Sequence, residues 1–134
     1  MEDYLGGDSK ELNYLLESKS QKNAFDFLMT SKKGKSFRTD GNSNEDFYAF
    51  GQYLFSPYDG EIVSLVDGVK ENIMGEMNSF HKARSSKPHL HFHVQNTENM
   101  NDAEGVKCYF DKITVDGQLK TDYSPIKNER LIQN

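Results

Sequence analysis

The stretch "KPHLHFHVQN", residues 87–96, constrains this chain more than any other. Polar and apolar side chains alternate through it with period two. In an extended strand that period sends successive side chains to opposite faces. His89, His91 and His93 therefore share one face, and Leu90, Phe92 and Val94 share the other. The apolar set requires a core to pack on. The imidazole set faces solvent, a cleft or another layer. The chain holds only 4 histidines, and the fourth, His81, lies just upstream.

Two readings of that face stand side by side. A solvated strand face can alternate polar residues with no function attached. Imidazoles at i and i+2 are also about 6–7 Å apart at the backbone. That spacing lets two of them converge on one metal ion, or lets one ligate while its neighbour handles a proton. Zinc needs a further ligand from elsewhere in the chain. Asp26, in "AFDF", is the candidate: an acid inside an otherwise apolar segment is costly to bury without a partner. Its other expected role is an ion pair or a hydrogen bond at a strand end.

The remaining pattern is mainly β. "NAFDFLMT" (23–30) reads as an aromatic strand ended by the turn "SKKGK" (31–35), and "RTDGNSNED" (38–46) as an exposed loop. "YAFGQYLFSPYDGEIVSLVDG" (48–68) predicts two strands around Pro57 and Gly60. Residues 69–87 lack a period and read as a long loop. "VKCYFDKITVDGQLK" (106–120) predicts a hairpin turning at Asp116-Gly117. Cys108 alternates with apolar neighbours there, as a strand residue does. The tail "SPIKNERLIQN" (124–134) is polar and expected to be loosely attached. Helical spacing is confined to "SKELNYLLES" (9–18), where Ser9 could cap Leu12, Leu15 and Leu16. With 134 residues and no repeat or linker, one domain spanning 1–134 is the economical expectation.

Composition excludes several classes. A net charge of −5 disfavours nucleic acid as a partner, because such binding neutralises phosphates. A single cysteine permits neither an intrachain disulfide nor a thiolate zinc cage. No apolar run approaches the roughly 20 residues of a membrane span. The start, "MEDYLGGDSKEL", carries acid where a signal peptide has base. The chain is therefore expected to be cytosolic or to have lost an export signal.

"KPHLHFHVQN" resembles the His-x-His strand of the lysostaphin-type zinc metallopeptidases, which cleave peptide cross-links in bacterial cell walls. Their Pro-His-Leu-His-Phe core stands here at residues 88–92. "FGQYLFSPYDGEIVSLVDG" is similar to that family's strand pair, "KNAFDF" to its segment bearing the metal-binding aspartate, and "GVKCYFDKITVDGQLK" to strands that follow the histidine strand. The resemblance covers roughly residues 21–124. It implies a mainly antiparallel sheet with zinc in a groove, Asp26 and His91 as metal ligands, and His89 as the catalytic histidine. It also implies cell-wall peptide or peptidoglycan as partner, and an extracellular or cell-envelope setting.

The chain departs from that pattern twice. Lys22 stands where the family has its first zinc-binding histidine, four residues before Asp26. A lysine is charged at neutral pH and offers no lone pair. Its charge is expected to sit near Asp26 and satisfy it. Further on, Gly75-Glu76-Met77-Asn78 runs almost directly into "SFHKARSSKPHLH". The family's Tyr-Ala-His-Leu-like segment and Gly-rich hairpin are absent there, and a second catalytic histidine with them; His81 is the only spare. The shortened path exposes strand edges, for which a homodimer or swapped strand is an expected remedy. The sequence thus predicts a metallopeptidase-like domain with impaired or lost activity, or a non-catalytic peptidoglycan- or protein-binding module on the same scaffold. A cupin-like metal barrel is the third possibility, but it needs a downstream histidine and none follows His93.

Overall fold

Phe25, Asp26, Phe27 and Leu28 are all buried, so the strand they form has both faces covered. The computed structural model describes residues 2–5, 9, 17–65 and 88–132. Within it, β1 (Glu2–Leu5), β2 (Phe25–Leu28) and β3 (Leu90–Phe92) make one antiparallel sheet in that order, with β2 at the centre. β3 breaks at His93 and resumes as β4 (Val94–Gln95), which pairs with β5 (Gly105–Val106). A third sheet has the order β7-β6-β8, from β6 (Phe110–Val115), β7 (Gln118–Tyr123) and β8 (Leu131–Ile132). The architecture is mainly β, in small antiparallel sheets. A single turn of 3-10 helix, Asn44–Asp46, interrupts the loop expected at 38–46.

The core explains the strand faces. Phe25, Phe27, Cys108, Val115 and Leu131 form its buried centre, and Leu90, Phe92, Val94, Phe110 and Ile113 pack against it. The Phe25 and Phe27 rings stack 5.4 Å apart, and Phe110 meets both edge-on. Phe25, Phe27 and Phe110 thus make an aromatic group within a core completed by aliphatic side chains and Cys108. The hairpin at Asp116-Gly117 forms as expected. Both residues have positive φ, 49° and 79°, the conformation that a tight two-residue turn between twisted strands needs.

Several expectations are corrected. Residues 48–65 form no strand. Their β-branched and aromatic side chains suit a pleated surface, but most of them stand exposed: Tyr53, Phe55 and Ile62 are 90%, 87% and 84% exposed. Strand propensity expresses itself only against a packing partner. Cys108 lies between β5 and β6, buried but outside any strand. The tail is not loose up to Ile132, because β8 pairs with β6 and Leu131 enters the core. Glu129 accepts hydrogen bonds from the Tyr123 hydroxyl (2.7 Å) and the Lys120 ammonium (3.2 Å), which ties the tail to β7. The helix expected at 9–18 lies mostly outside the described residues, as do the loop at 69–87 with His81 and the short path at Asn78.

Candidate metal centre

The register of β2 against β3 builds the site. Phe25 pairs with Phe92, Asp26 with His91, and Phe27 with Leu90. Directly opposed residues share a face. The two flanking pairs are apolar and enter the core, so the central pair, Asp26 and His91, points to the other side. Two residues before His91 on that same side stands His89. Alternation in two separate segments thus brings an acid and two imidazoles together.

The distances are short. Asp26 Oδ1 lies 2.7 Å from His91 Nδ1 and 3.4 Å from His89 Nε2. One ligating atom from each of the three residues falls within 4.8 Å of the others. Asp26 is 4% exposed, whereas the His91 side chain is 34% exposed, so the cluster opens to solvent on the His91 side. Burial alone would raise the Asp26 carboxyl pKa. The hydrogen bonds and positive charge of His89 and His91 outweigh that and hold it at about 2.

Beyond His91 the polar face continues. His91 Nε2 lies 3.1 Å from His93 Nδ1, and His93 Nε2 lies 3.2 Å from Gln95 Oε1. The Gln95 amide donates to the carbonyls of Thr97 (2.8 Å) and Glu98 (3.2 Å). His93 is half-buried, and burial together with the nearby His91 charge lowers its pKa, although the Gln95 hydrogen bond opposes the shift. Gln95 did not stand out in the sequence. The signal was available, since it occupies the next alternate position after His93.

Lys22 is not what satisfies Asp26, contrary to expectation. Its ammonium is 2.7 Å from Glu104, and the charges meeting Asp26 are imidazoles. The segment before β2 is held there by β5 and its flank: Gly105 N–H donates to Lys19 O (2.9 Å), and the Asn23 amide donates to Gly105 O (2.9 Å). That anchoring brings Lys22 beside Glu104.

No family model, curated protein or solved structure matches this chain. The chemistry must therefore be argued from the donor set. One carboxylate and two imidazoles are the ligand types of a three-ligand zinc site with an open position. Ligand atoms around a tetrahedral zinc with bonds near 2.0–2.1 Å sit about 3.3 Å apart. The Asp26–His89 separation already has that value, and the Asp26–His91 hydrogen bond must open by about half an ångström. The donor types and these two separations suit such an ion. Among the described residues, no helix is long and apolar enough to cross a membrane.

Proposed function

We propose that this chain is a lysostaphin-type metallopeptidase-like domain in which Asp26, His89 and His91 hold zinc, with hydrolysis of cell-wall peptide impaired or lost. The observation that supports it is the convergence of those three side chains on one face of the β2–β3 pair. Bound there, zinc supplies Lewis acidity toward a peptide carbonyl and toward water. Asp26, buried and ionised, supplies the fixed negative charge that neutralises part of the ion's own. The apolar side of β3 holds the histidine backbone against the core, which limits how far the imidazoles can drift.

His89 decides between activity and binding. The family resemblance asks it to move protons. In this chain Lys22 occupies the place of one histidine ligand, and His89 lies beside Asp26 as the third available donor. An imidazole whose lone pair is spent on a metal cannot also accept a proton. That supports the second reading, a metal-bearing module that binds peptidoglycan or protein at the cell envelope without cutting it.

The test measures zinc by chelator competition on the purified protein, together with hydrolysis of a glycine-rich cross-link peptide. Stoichiometric zinc that is lost in His91→Ala, with little or no hydrolysis, is expected. Protein that takes up no zinc when zinc is supplied overturns the proposal. Robust hydrolysis that survives His89→Ala overturns the role given to His89.

A further inference from the structure

Among the described residues, a glycine directly follows an aspartate at 40–41, 59–60 and 116–117. Each pair carries the same latent chemistry. The glycine amide nitrogen can attack the side-chain carboxyl of the preceding aspartate when that carboxyl is in its acid form. A C–N bond forms at Cγ, the carboxyl hydroxyl leaves as water with the amide hydrogen, and a cyclic imide closes. Water then reopens the ring at either carbonyl. Opening at Cγ restores aspartate. Opening at the main-chain carbonyl leaves the chain running through Cγ, as isoaspartate. No oxidant or other co-reactant is consumed. The requirement is a backbone free to turn the nitrogen onto the carboxyl, and a following glycine obstructs this least because it has no Cβ.

The fold treats the three pairs differently. In the β6–β7 turn, Asp116 and Gly117 are both held at positive φ. Asp116 is also bound twice to Arg130: its N–H donates to the Arg130 carbonyl (2.9 Å) and its Oδ1 accepts from the Arg130 N–H (3.1 Å). Asp40 Oδ1 accepts from the Asn42 N–H (3.2 Å). Gly41 beside it is buried at φ 74°, with the Phe37 ring 3.1 Å from where a Cβ would stand. Asp59 and Gly60 have no such restraint. Both are exposed and outside any strand, and nothing lies within 4 Å of a Cβ built on Gly60. Among the described residues, no hydrogen bond or ion pair engages the Asp59 carboxyl or the Gly60 N–H. The nearest hydrogen bond, from the Ser56 hydroxyl to the Tyr58 carbonyl, ends at the peptide before Asp59. We propose that Asp59-Gly60 is a modification site at which the folded protein forms isoaspartate, while the fold protects Asp40 and Asp116. This inference stands apart from the metal reading.

The test ages the full chain for weeks at body temperature and mildly acidic pH, once folded and once in urea. Chymotrypsin places the three pairs in separate peptides, since it cuts after Phe37, Phe47, Tyr58, Leu65, Phe110 and Leu119. Mass spectrometry with electron-transfer fragmentation then distinguishes aspartate, the imide (lighter by one water) and isoaspartate. In the folded protein, imide and isoaspartate are expected to accumulate in the peptide holding Asp59 well before the other two. In urea the three peptides are expected to react at similar rates, because glycine follows the aspartate in each. Gly60→Val crowds the attacking nitrogen in open space, and should abolish the product at Asp59 without touching the core. Native protein in which Asp40 or Asp116 reacts as fast as Asp59 overturns the proposal. So does the same lead for Asp59 in urea, which would assign the difference to local sequence and not to the fold.

Discussion

Asp26→Asn isolates the charge at the centre of the cluster. The substitution keeps the shape and a hydrogen-bonding side chain, and removes only the carboxylate. In the unfolded chain the Asp26 carboxyl ionises near its ordinary value of 3.8; in the folded protein it ionises at about 2. That difference corresponds to about 2 kcal/mol of stability, and Asp26 is buried enough for solvent screening to leave most of it intact. Because the folded value is the lower one, the contribution is fully present above pH 3.8. It is lost as pH falls through 2, and both states are protonated only below that. Urea unfolding followed by circular dichroism, in chelator so that no metal contributes, should show Asp26→Asn less stable than wild type by about 2 kcal/mol at pH 5. For a chain of this length the gap is worth roughly 8 °C in Tm. The gap should shrink steeply toward pH 2 and close below it. Equal stability at pH 5 would show that the imidazoles do not hold the carboxylate. A gap that persists undiminished at pH 2 would show that shape, not charge, matters at position 26.

Three further outcomes follow from packing. A Cβ at Gly105 would lie 2.7 Å from the Ser20 backbone oxygen, and hydrogen bonds on both sides of Gly105 prevent retreat, so Gly105→Ala should cost about 1–3 kcal/mol in the same unfolding assay. Among the described residues, brief chymotrypsin treatment should cut at Tyr53, Leu54, Phe55 and Tyr58, which are exposed and outside any strand, before the buried Phe25, Phe27 and Phe47; mass spectrometry of the fragments checks it. Burial raises the Cys108 thiol pKa, so Cys108 should react slowly with a disulfide reagent at pH 8 in the native protein and rapidly in urea.

The elements legible in the sequence are those whose pattern and partner are close in the chain. The hairpin at Asp116-Gly117 needed only a turn signal between two extended runs, and β6 and β7 pair directly across it. Residues 48–65 carry an equally strong extended pattern, but a pattern states only how residues would pack if something lay against them. From Phe50 to Leu65 the large apolar side chains are exposed, and the segment takes no regular structure. The tail misled in the opposite sense. Its polarity hid two apolar residues, Pro125 and Leu131, that the core absorbs.

For the site, the sequence showed the faces but not the register. Asp26 lies between Phe25 and Phe27, and His91 between Leu90 and Phe92, so any antiparallel pairing that buries all four apolar side chains turns the acid and the imidazole to the same side. A slip of one residue would set the faces against each other and is excluded by burial. A slip of two would keep both faces and move Asp26 opposite His89 or His93 instead. Alternation alone cannot choose among those three registers. The structure takes the register that sets Phe25 across from Phe92, Asp26 across from His91 and Phe27 across from Leu90. In that register Asp26 lies between His89 and His91, and His93 is left to join His91 to Gln95. The three histidines that look equivalent in "HLHFHV" thus have different surroundings, and it is the register of β2 against β3 that separates them.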